Sequence, residues 1–298
     1  MFRYLSAIGM SEYIDKKKFQ SFLLSSFHSQ DLSMDTVTNP ETGEKTAEFY
    51  LDMDPFTLIL RGKISENRIF VESLLPVARS YRNLVPIDAW QIDFSDEMMP
   101  ILIGDHLETG SPIDLFASNL IQAKRYASKG PDILNVYVYG LSISGQILLN
   151  TQSSAEDEAA YLDQEEYMDE LSRRAASGDL RARQELEQED RAAWEDIEKR
   201  LQDEDVYSII DGLILPANAE IYGSFTVLGT IRAIHKILNS YTEEWVYEFE
   251  LSIIGKPYTV FINPKDLEGY PSVGMRFQGS VLLLGNIDWN LREEVFEE

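Results

Sequence analysis

Residues 262–289 read INPKDLEGYPSVGMRFQGSVLLLGNIDW, and the reading of this stretch decides the fold. Its density of Gly, Asp and Asn around a single Arg suits either a ligand loop or the turn and strand that close a small β-barrel. Each residue has a structural use. Asn263-Pro264 begins a turn, within which Asp266 can accept backbone N–H groups. Gly269 and Gly274 permit positive φ or close approach. Arg276 is placed to pair with Asp266 or Glu268 across the loop. VLLLGNIDW reads as a buried strand, bent or bulged at Gly285. Asn263, Asp266, Gly269, Gly274, Arg276 and Gly279 are therefore expected to form a structural motif, and the closing strand is the favoured reading.

Upstream, IYGSFTVLGTIRAIHKIL, EEWVYEFELSII and KPYTVFIN are further strand-like runs. They are separated by NSYT (239–242), GK (255–256) and PKDLEGYPSVG (264–274). Four or five short strands with internal glycines predict an OB-like barrel domain over 207–298.

Residues 154–206 differ sharply, being rich in Ala, Glu, Asp, Gln and Arg, with one Gly and no Pro. That composition favours helix. Gly178 can end one helix and Asp179 can cap the next, so the segment reads as an acidic αα-hairpin. Leu171, Ala175, Leu186, Trp194, Ile197 and Leu201 form a narrow apolar set, which predicts packing along one side and solvation elsewhere.

Residues 1–153 read as a mixed α+β domain. DKKKFQSFLLSSFHS places Phe19, Phe22, Leu23 and Phe27 on one helical face. TNPETGEKT and SENR mark turns between strand-like runs, and AWQIDF, MPILIGDHL and ILNVYVYGLSISGQILLN are further strands. SPIDLFASNLIQAKRYASKG is expected to be a helix, capped at Ser111, with Pro112 in its first turn and Gly130 at its stop. No repeat of the kind that builds a solenoid or propeller stands out. The whole is thus α+β: an N-terminal mixed α/β sheet domain, an acidic αα-hairpin and a C-terminal barrel.

Charge narrows the function. The 298 residues carry 51 acids against 26 bases, a net −25. Residues 154–206, under a fifth of the chain, hold 19 of the acids and only seven of the bases, about half the excess. Such a surface repels phosphates and anionic lipid, so nucleic acid and membrane are disfavoured as partners, and a protein partner with basic character is compatible with it. An acidic surface that simply confers solubility is the alternative. With no cysteine, disulfides, thiolate metal sites and Cys nucleophiles are excluded. No apolar run reaches the roughly 18–20 residues of a membrane span. The basic run Lys16–Lys18 follows the first apolar stretch, which is the wrong order for a signal peptide, so a cytoplasmic address is expected.

Catalytic patterns are sparse. His28, His106 and His235 lie in separate segments without metal-ligand spacing. His106 has Asp105 and Glu108 beside it, but a lone His near carboxylates is more often a hydrogen-bonded surface residue than a catalyst. Asp52 and Asp54 would share a strand face, and Asp93 and Asp96 form a similar close pair; either could hold a hard cation or be solvated strand ends. Phosphate-cradling loops and the G-x-S-x-G elbow are absent from the sequence, and nothing calls for a cofactor. The densest basic set of the first segment is Arg79, Arg82, Lys124, Arg125 and Lys129.

Three stretches together carry a resemblance: FRYLSAIGMS near the start, RRAASGDLRARQELEQED followed by DEDVYSIIDGLILPAN, and INPKDLEGYPSVGMRFQGSVLLLGNI. In this order they resemble a family of uncharacterised cytoplasmic proteins from clostridial-type bacteria, known as a domain of unknown function. Its most specific mark is N-x-x-D-L-x-G-x-P-x-V-G-x-R-F-x-G, matched by Asn263–Gly279. The resemblance implies one coherent architecture from residue 1 to about 290. It brings no catalytic residue with it.

The leading functional expectation is a non-enzymatic protein-interaction module or adaptor, with Glu185, Glu189, Asp190, Glu195 and Asp196 of the hairpin meeting the partner. Two alternatives stand beside it: an acidic inhibitor or immunity-type protein that masks a basic partner, and a carboxylate–metal enzyme built around Asp52, Asp54, Asp105 and His106.

Overall fold

The computed structural model describes residues 2–26, 32–66, 68–78, 87–106, 112–127, 133–148, 167–168, 170–175, 177–186, 188–189, 191, 212–217 and 222–289. Two short 3-10 segments, Phe2–Ile8 and Ser11–Ile14, lead into helix α1 (Lys16–Ser26). Asp15 caps α1, its Oδ1 accepting from the Lys17 and Lys18 amides at 2.9 and 3.0 Å. Phe19 and Phe22 bury into the core and Leu23 packs against it, while Phe27 lies outside the described residues.

A four-stranded antiparallel meander follows: β1 (Leu32–Thr38), β2 (Lys45–Met53), β3 (Phe56–Ser65) and β4 (Arg68–Ala78). The expected turns at TNPETGEKT and SENR fall between β1 and β2 and between β3 and β4. Strands β5 (Ile87–Asp93), β6 (Ile101–His106) and β7 (Pro112–Ala117) then run antiparallel to one another and join a second, ten-stranded sheet.

The helix expected over SPIDLFASNLIQAKRYASKG is a strand followed by a shorter helix. Pro112–Ala117 is β7, and α2 spans only Leu120–Ala127. Ile113, Leu115 and Ala117 are buried at every second position, the signature of a pleated strand, and Pro112 is tolerated as the first residue of that strand. Asn119, rather than Ser111, precedes the helix, and the Ala123 amide donates to its carbonyl.

The rest of the second sheet comprises β8 (Ile133–Leu148), β9 (Leu213–Pro216), β10 (Ser224–Leu238), β11 (Trp245–Ile253), β12 (Lys256–Ile262), β13 (Leu267–Glu268) and β14 (Arg276–Trp289). Five of these pair in a closed circuit. β10 pairs antiparallel with β11, β11 with β12, β10 with β14, and β14 with β8; β8 returns parallel to β12. Closure through β8 means that a strand from the first half of the chain completes the sheet of the last. The chain is α+β with mostly β content.

The opening stretch is a turn and a strand. Gly269 and Gly274 take φ of +91° and +84°. Asn263, not Asp266, accepts a backbone N–H, its Oδ1 receiving the Lys265 amide at 3.0 Å. Arg276 is buried at the start of β14, opposite Thr230 and Leu148. The strand is not bulged at Gly285. The register shifts instead at Ser280/Val281 and Asp288/Trp289. Gly285 serves packing, because a Cβ there would collide with Leu115, Val136 and Leu102.

The two sheets share a recurring unit. Positions 39–53 and 239–253 align at a constant offset of 200, matching Asn39/Asn239, Thr42/Thr242, Glu44/Glu244, Glu48/Glu248, Phe49/Phe249 and Leu51/Leu251. The turns are alike bond for bond. Asn39 Oδ1 accepts from the Glu41 and Thr42 amides, and Asn239 Oδ1 from those of Tyr241 and Thr242. In each, the threonine hydroxyl accepts from the glutamate amide two residues on. The ladders keep the same offset: Thr38↔Lys45 with Leu238↔Trp245, and Met53↔Phe56 with Ile253↔Lys256. A doubled hairpin unit is a repeat of local code, and it is neither solenoid nor propeller.

In the middle segment, Gly178 takes φ +97° and Asp179 Oδ1 accepts from the Arg181 and Ala182 amides, as stop and cap require. Leu171, Ala175 and Ala182, with Met168 and Leu186, form a small apolar cluster drawn from this segment alone. Trp194, Ile197 and Leu201 lie outside the described residues.

Candidate functional site

The first polar feature of the interior is an ion pair. Glu48 on β2 and Arg61 on β3 face each other in register, and both side chains are fully buried. Arg61 Nε donates to Glu48 Oε1 at 2.8 Å. Nη1 donates to the Met98 carbonyl at 2.9 Å and lies 3.6 Å from Met99 Sδ. Nη2 donates to the Ala117 and Ser118 carbonyls at 2.9 and 3.0 Å. All five N–H donors of the guanidinium thus have an acceptor. Glu48 Oε2 accepts from the Tyr50 hydroxyl at 2.8 Å and from the Ile121 amide in the first turn of α2 at 3.1 Å. Burial, reinforced by the Glu48 charge, holds the Tyr50 hydroxyl far above its ordinary pKa, so it stays a donor.

This network joins β2 and β3 to the segment before β6, the end of β7 and the start of α2. A buried pair satisfied on all sides fixes geometry more than it adds stability. Two of the residues it holds, Tyr50 and Ser118, line a cleft.

The cleft has a volume of about 390 Å³ and runs between the four-stranded sheet and the α2 side of the large one. Its walls carry the carboxylates of Asp35 and Asp52, the amides of Asn119, Gln122 and Asn286, and the rings of Tyr50 and Tyr139. Asn119 is held by the β14 backbone, its Nδ2 donating to the Ile287 carbonyl at 2.8 Å and its Oδ1 accepting the Ile287 amide at 3.1 Å. Arg125 Nη2 donates to Asp35 Oδ1 at 3.0 Å and to the Thr36 carbonyl at 3.1 Å. No Lys, Arg or His side chain is among the described residues that line the cleft.

A second polar cluster fastens the N-terminus. Glu244 accepts from the Ser11 hydroxyl at 2.7 Å, the Ser11 amide at 3.3 Å, Asn263 Nδ2 at 2.9 Å and Lys265 Nζ at 3.2 Å. Partial burial works to raise the Glu244 pKa, but the Ser11 and Lys265 contacts outweigh it and hold the carboxyl below its ordinary value. Asn263, the first residue of the predicted motif, is therefore a structural tie between two ends of the chain.

The other expected residues scatter. Asp52 lines the cleft on the four-stranded sheet, whereas Asp105 lies on β6 of the large one. Asp54 sits in the β2–β3 turn and His106 ends β6; the His106 side chain is outside the described residues. No group of three or more His, Asp or Glu side chains that could hold a metal ion occurs among the described residues. His235, on β10, lies 3.6 Å from Glu250 on the adjacent strand. Of the basic set, Lys124 donates to Thr46 Oγ1 and Arg125 is engaged as above; Arg79, Arg82 and Lys129 lie outside the described residues. Of the hairpin acids, Glu185 and Glu189 are exposed, and Asp190, Glu195 and Asp196 lie outside the described residues.

Sequence reasoning overlooked Glu48, Arg61 and Asn119. The first two did leave a signal: one acid in AEFYL and one base in FTLILRG, each embedded in an apolar run on neighbouring strands. Charges in such runs are buried in pairs or not at all.

The geometry thus defines an α+β protein with a buried ion pair and a polar cleft whose described lining includes no cationic side chain, although Arg125 pairs with Asp35 at its wall. The family model described as "Domain of unknown function, E. rectale Gene description (DUF3881)" matches residues 5–285, and the chain belongs to that family. No curated protein and no solved structure matches it. No helix among the described residues is long and apolar enough to cross a membrane.

Proposed function

We propose that the protein is a cytoplasmic interaction module that receives a cationic side chain, a lysine or arginine of a basic protein partner, in the cleft between β2 and α2. The carrying observation is the lining: two carboxylates, one of them (Asp35) met by Arg125, three amides and two aromatic rings, with no cationic side chain among the described lining residues. Carboxylate and amide oxygens accept from an ammonium or guanidinium, and tyrosine faces attract it. A net charge of −25 draws such a group in and repels anions. The exposed Glu185 and Glu189 extend that field and act in steering the partner. The closed strand circuit supports a small barrel, the coarser form of the OB-like expectation, as the rigid body that carries β14 and its hold on Asn119.

The test is calorimetric titration of the full chain with a tetralysine peptide and, separately, a tetraglutamate peptide. Tetralysine binds, more weakly as salt rises, and Asp52→Asn weakens it about tenfold, or 1.4 kcal/mol. Tetraglutamate does not bind. Attraction to the acidic surface at large would survive this one substitution, so unchanged binding by Asp52→Asn sinks the proposal, as does failure of tetralysine to bind.

A further inference from the structure

Strand β4 is the outer strand of the four-stranded sheet. Its first five residues, Arg68, Ile69, Phe70, Val71 and Glu72, are all exposed, so both faces of the strand meet solvent there. Ile69, Phe70 and Val71 are 46, 52 and 41% exposed. Three consecutive apolar residues on an edge that no strand among the described residues pairs with form a template for another strand. Their backbone is ready for one. Counted from the Ser65↔Arg68 pair that closes the hairpin, antiparallel alternation turns the N–H and C=O groups of Ile69 and Val71 away from β3. Glu72 is the extra residue of a bulge, since Arg61 pairs with Ser73 and Gly62 with Val71, leaving it uncommitted to β3.

The sequence of this edge, R-I-F-V-E, is self-complementary. We propose that a second copy of the chain adds here, the two β4 strands pairing antiparallel about a two-fold axis at Phe70. In that register Arg68 stands opposite Glu72 of the second copy, twice over, and Ile69 opposite its Val71. A parallel pairing would set Arg68 against Arg68, and a one-residue slip would break both ion pairs and set one of the two charges against an apolar residue. The contact is isologous and closes on itself, uniting two four-stranded sheets into one of eight. Five residues a side bury less than a standard interface, and two chains of net −25 repel, so the dimer is weak, with a Kd on the order of 10–100 μM.

Charge reversal tests the register, using sedimentation equilibrium of the full chain over a wide concentration range. The wild type forms a dimer. Arg68→Glu and Glu72→Arg, each made separately at an exposed position, set like charges face to face and are monomeric. An equimolar mixture of the two restores both ion pairs and forms a heterodimer. A wild type that stays monomeric, a single variant that dimerises as well as the wild type, or a mixture that stays monomeric would overturn the proposal.

Discussion

The unit at 32–65 and the unit at 224–262 are written in nearly the same local code, yet the molecule uses them differently. Both turn on an asparagine whose side chain accepts two amides, and both carry a buried glutamate in an E-F-x-L strand. In the first unit the turn faces solvent and the interior holds the ion pair, with Glu48 opposite Arg61. In the second the N-terminus covers the base of the turn, while Ser240, Tyr241 and Glu243 stay exposed. Asn239 is fully buried, its Nδ2 donates to the Ile8 carbonyl at 2.6 Å, and the Thr242 hydroxyl donates to the Gly9 carbonyl. At the place of Arg61 stands Phe261, packed against Phe56 and Tyr139. Local code sets the hairpin; the residue across the strand and whatever covers the turn set its task.

Removing the charge that distinguishes the first unit gives the largest effect. Arg61→Met leaves Glu48 buried without its partner and costs about 3–5 kcal/mol in denaturant unfolding. The double variant Glu48→Leu/Arg61→Met, which removes both charges of the pair, recovers most of that loss. A single variant as stable as the wild type would show that the pair does not hold the two sheets together.

The turns come next. Asn239→Ala loses two amide contacts and strands the Ile8 carbonyl, for about 2–3 kcal/mol. Asn39→Ala loses the same two amide contacts in solvent, for about 1 kcal/mol. Equal losses would mean that burial by the N-terminus adds nothing.

The paired glutamates sharpen this by pH. Glu44 meets Lys63 on the surface at 2.8 Å, whereas Glu244 collects Ser11, Asn263 and Lys265. Glu244→Gln should cost about 2 kcal/mol at neutral pH, and Glu44→Gln under about 0.5. Because the Glu244 carboxyl is held below its ordinary pKa, its contribution is complete above the unfolded-state value. It is lost as pH falls through the lowered folded-state value. The melting temperatures of Glu244→Gln and wild type therefore converge on acidification. A gap that stays constant with pH would assign the loss to packing.

Much of the doubled unit was legible beforehand because turns and alternating strands are local signals. TNPETGEKT, NSYT and GK all fall at turns, and the strand edges follow from them. What was not legible depends on contacts distant in sequence. β8 joins β14 across more than a hundred residues, and Arg61 finds its acceptors 37, 56 and 57 positions away. The helix wrongly expected at Pro112–Ala117 shows the limit from another side. Ser111-Pro112 at the front and Lys124-Arg125 further on mimic helix start and end signals, while the period-two burial of Ile113, Leu115 and Ala117 depends on the sheet that β7 joins. The cleft was the least visible part, since Asp52 and Asn119 become neighbours only once β14 has fixed Asn119 in place.

The smallest test concerns one backbone angle. At the fifth residue of each turn the chain enters the left-handed region, with φ +72° at Gly43 and +55° at Glu243. Glycine adopts it freely, whereas an L-residue with a side chain pays roughly 1–2 kcal/mol there. Glu243→Gly removes that strain but loosens the unfolded chain, an opposing term of about 0.5–1 kcal/mol. The expected result is a gain of a few tenths of a kcal/mol in thermal unfolding, and Gly43→Glu should lose a similar amount. If Glu243→Gly is instead destabilising by 1 kcal/mol or more, the Glu243 side chain makes a contact that matters more than its backbone, and the two turns differ in more than their burial.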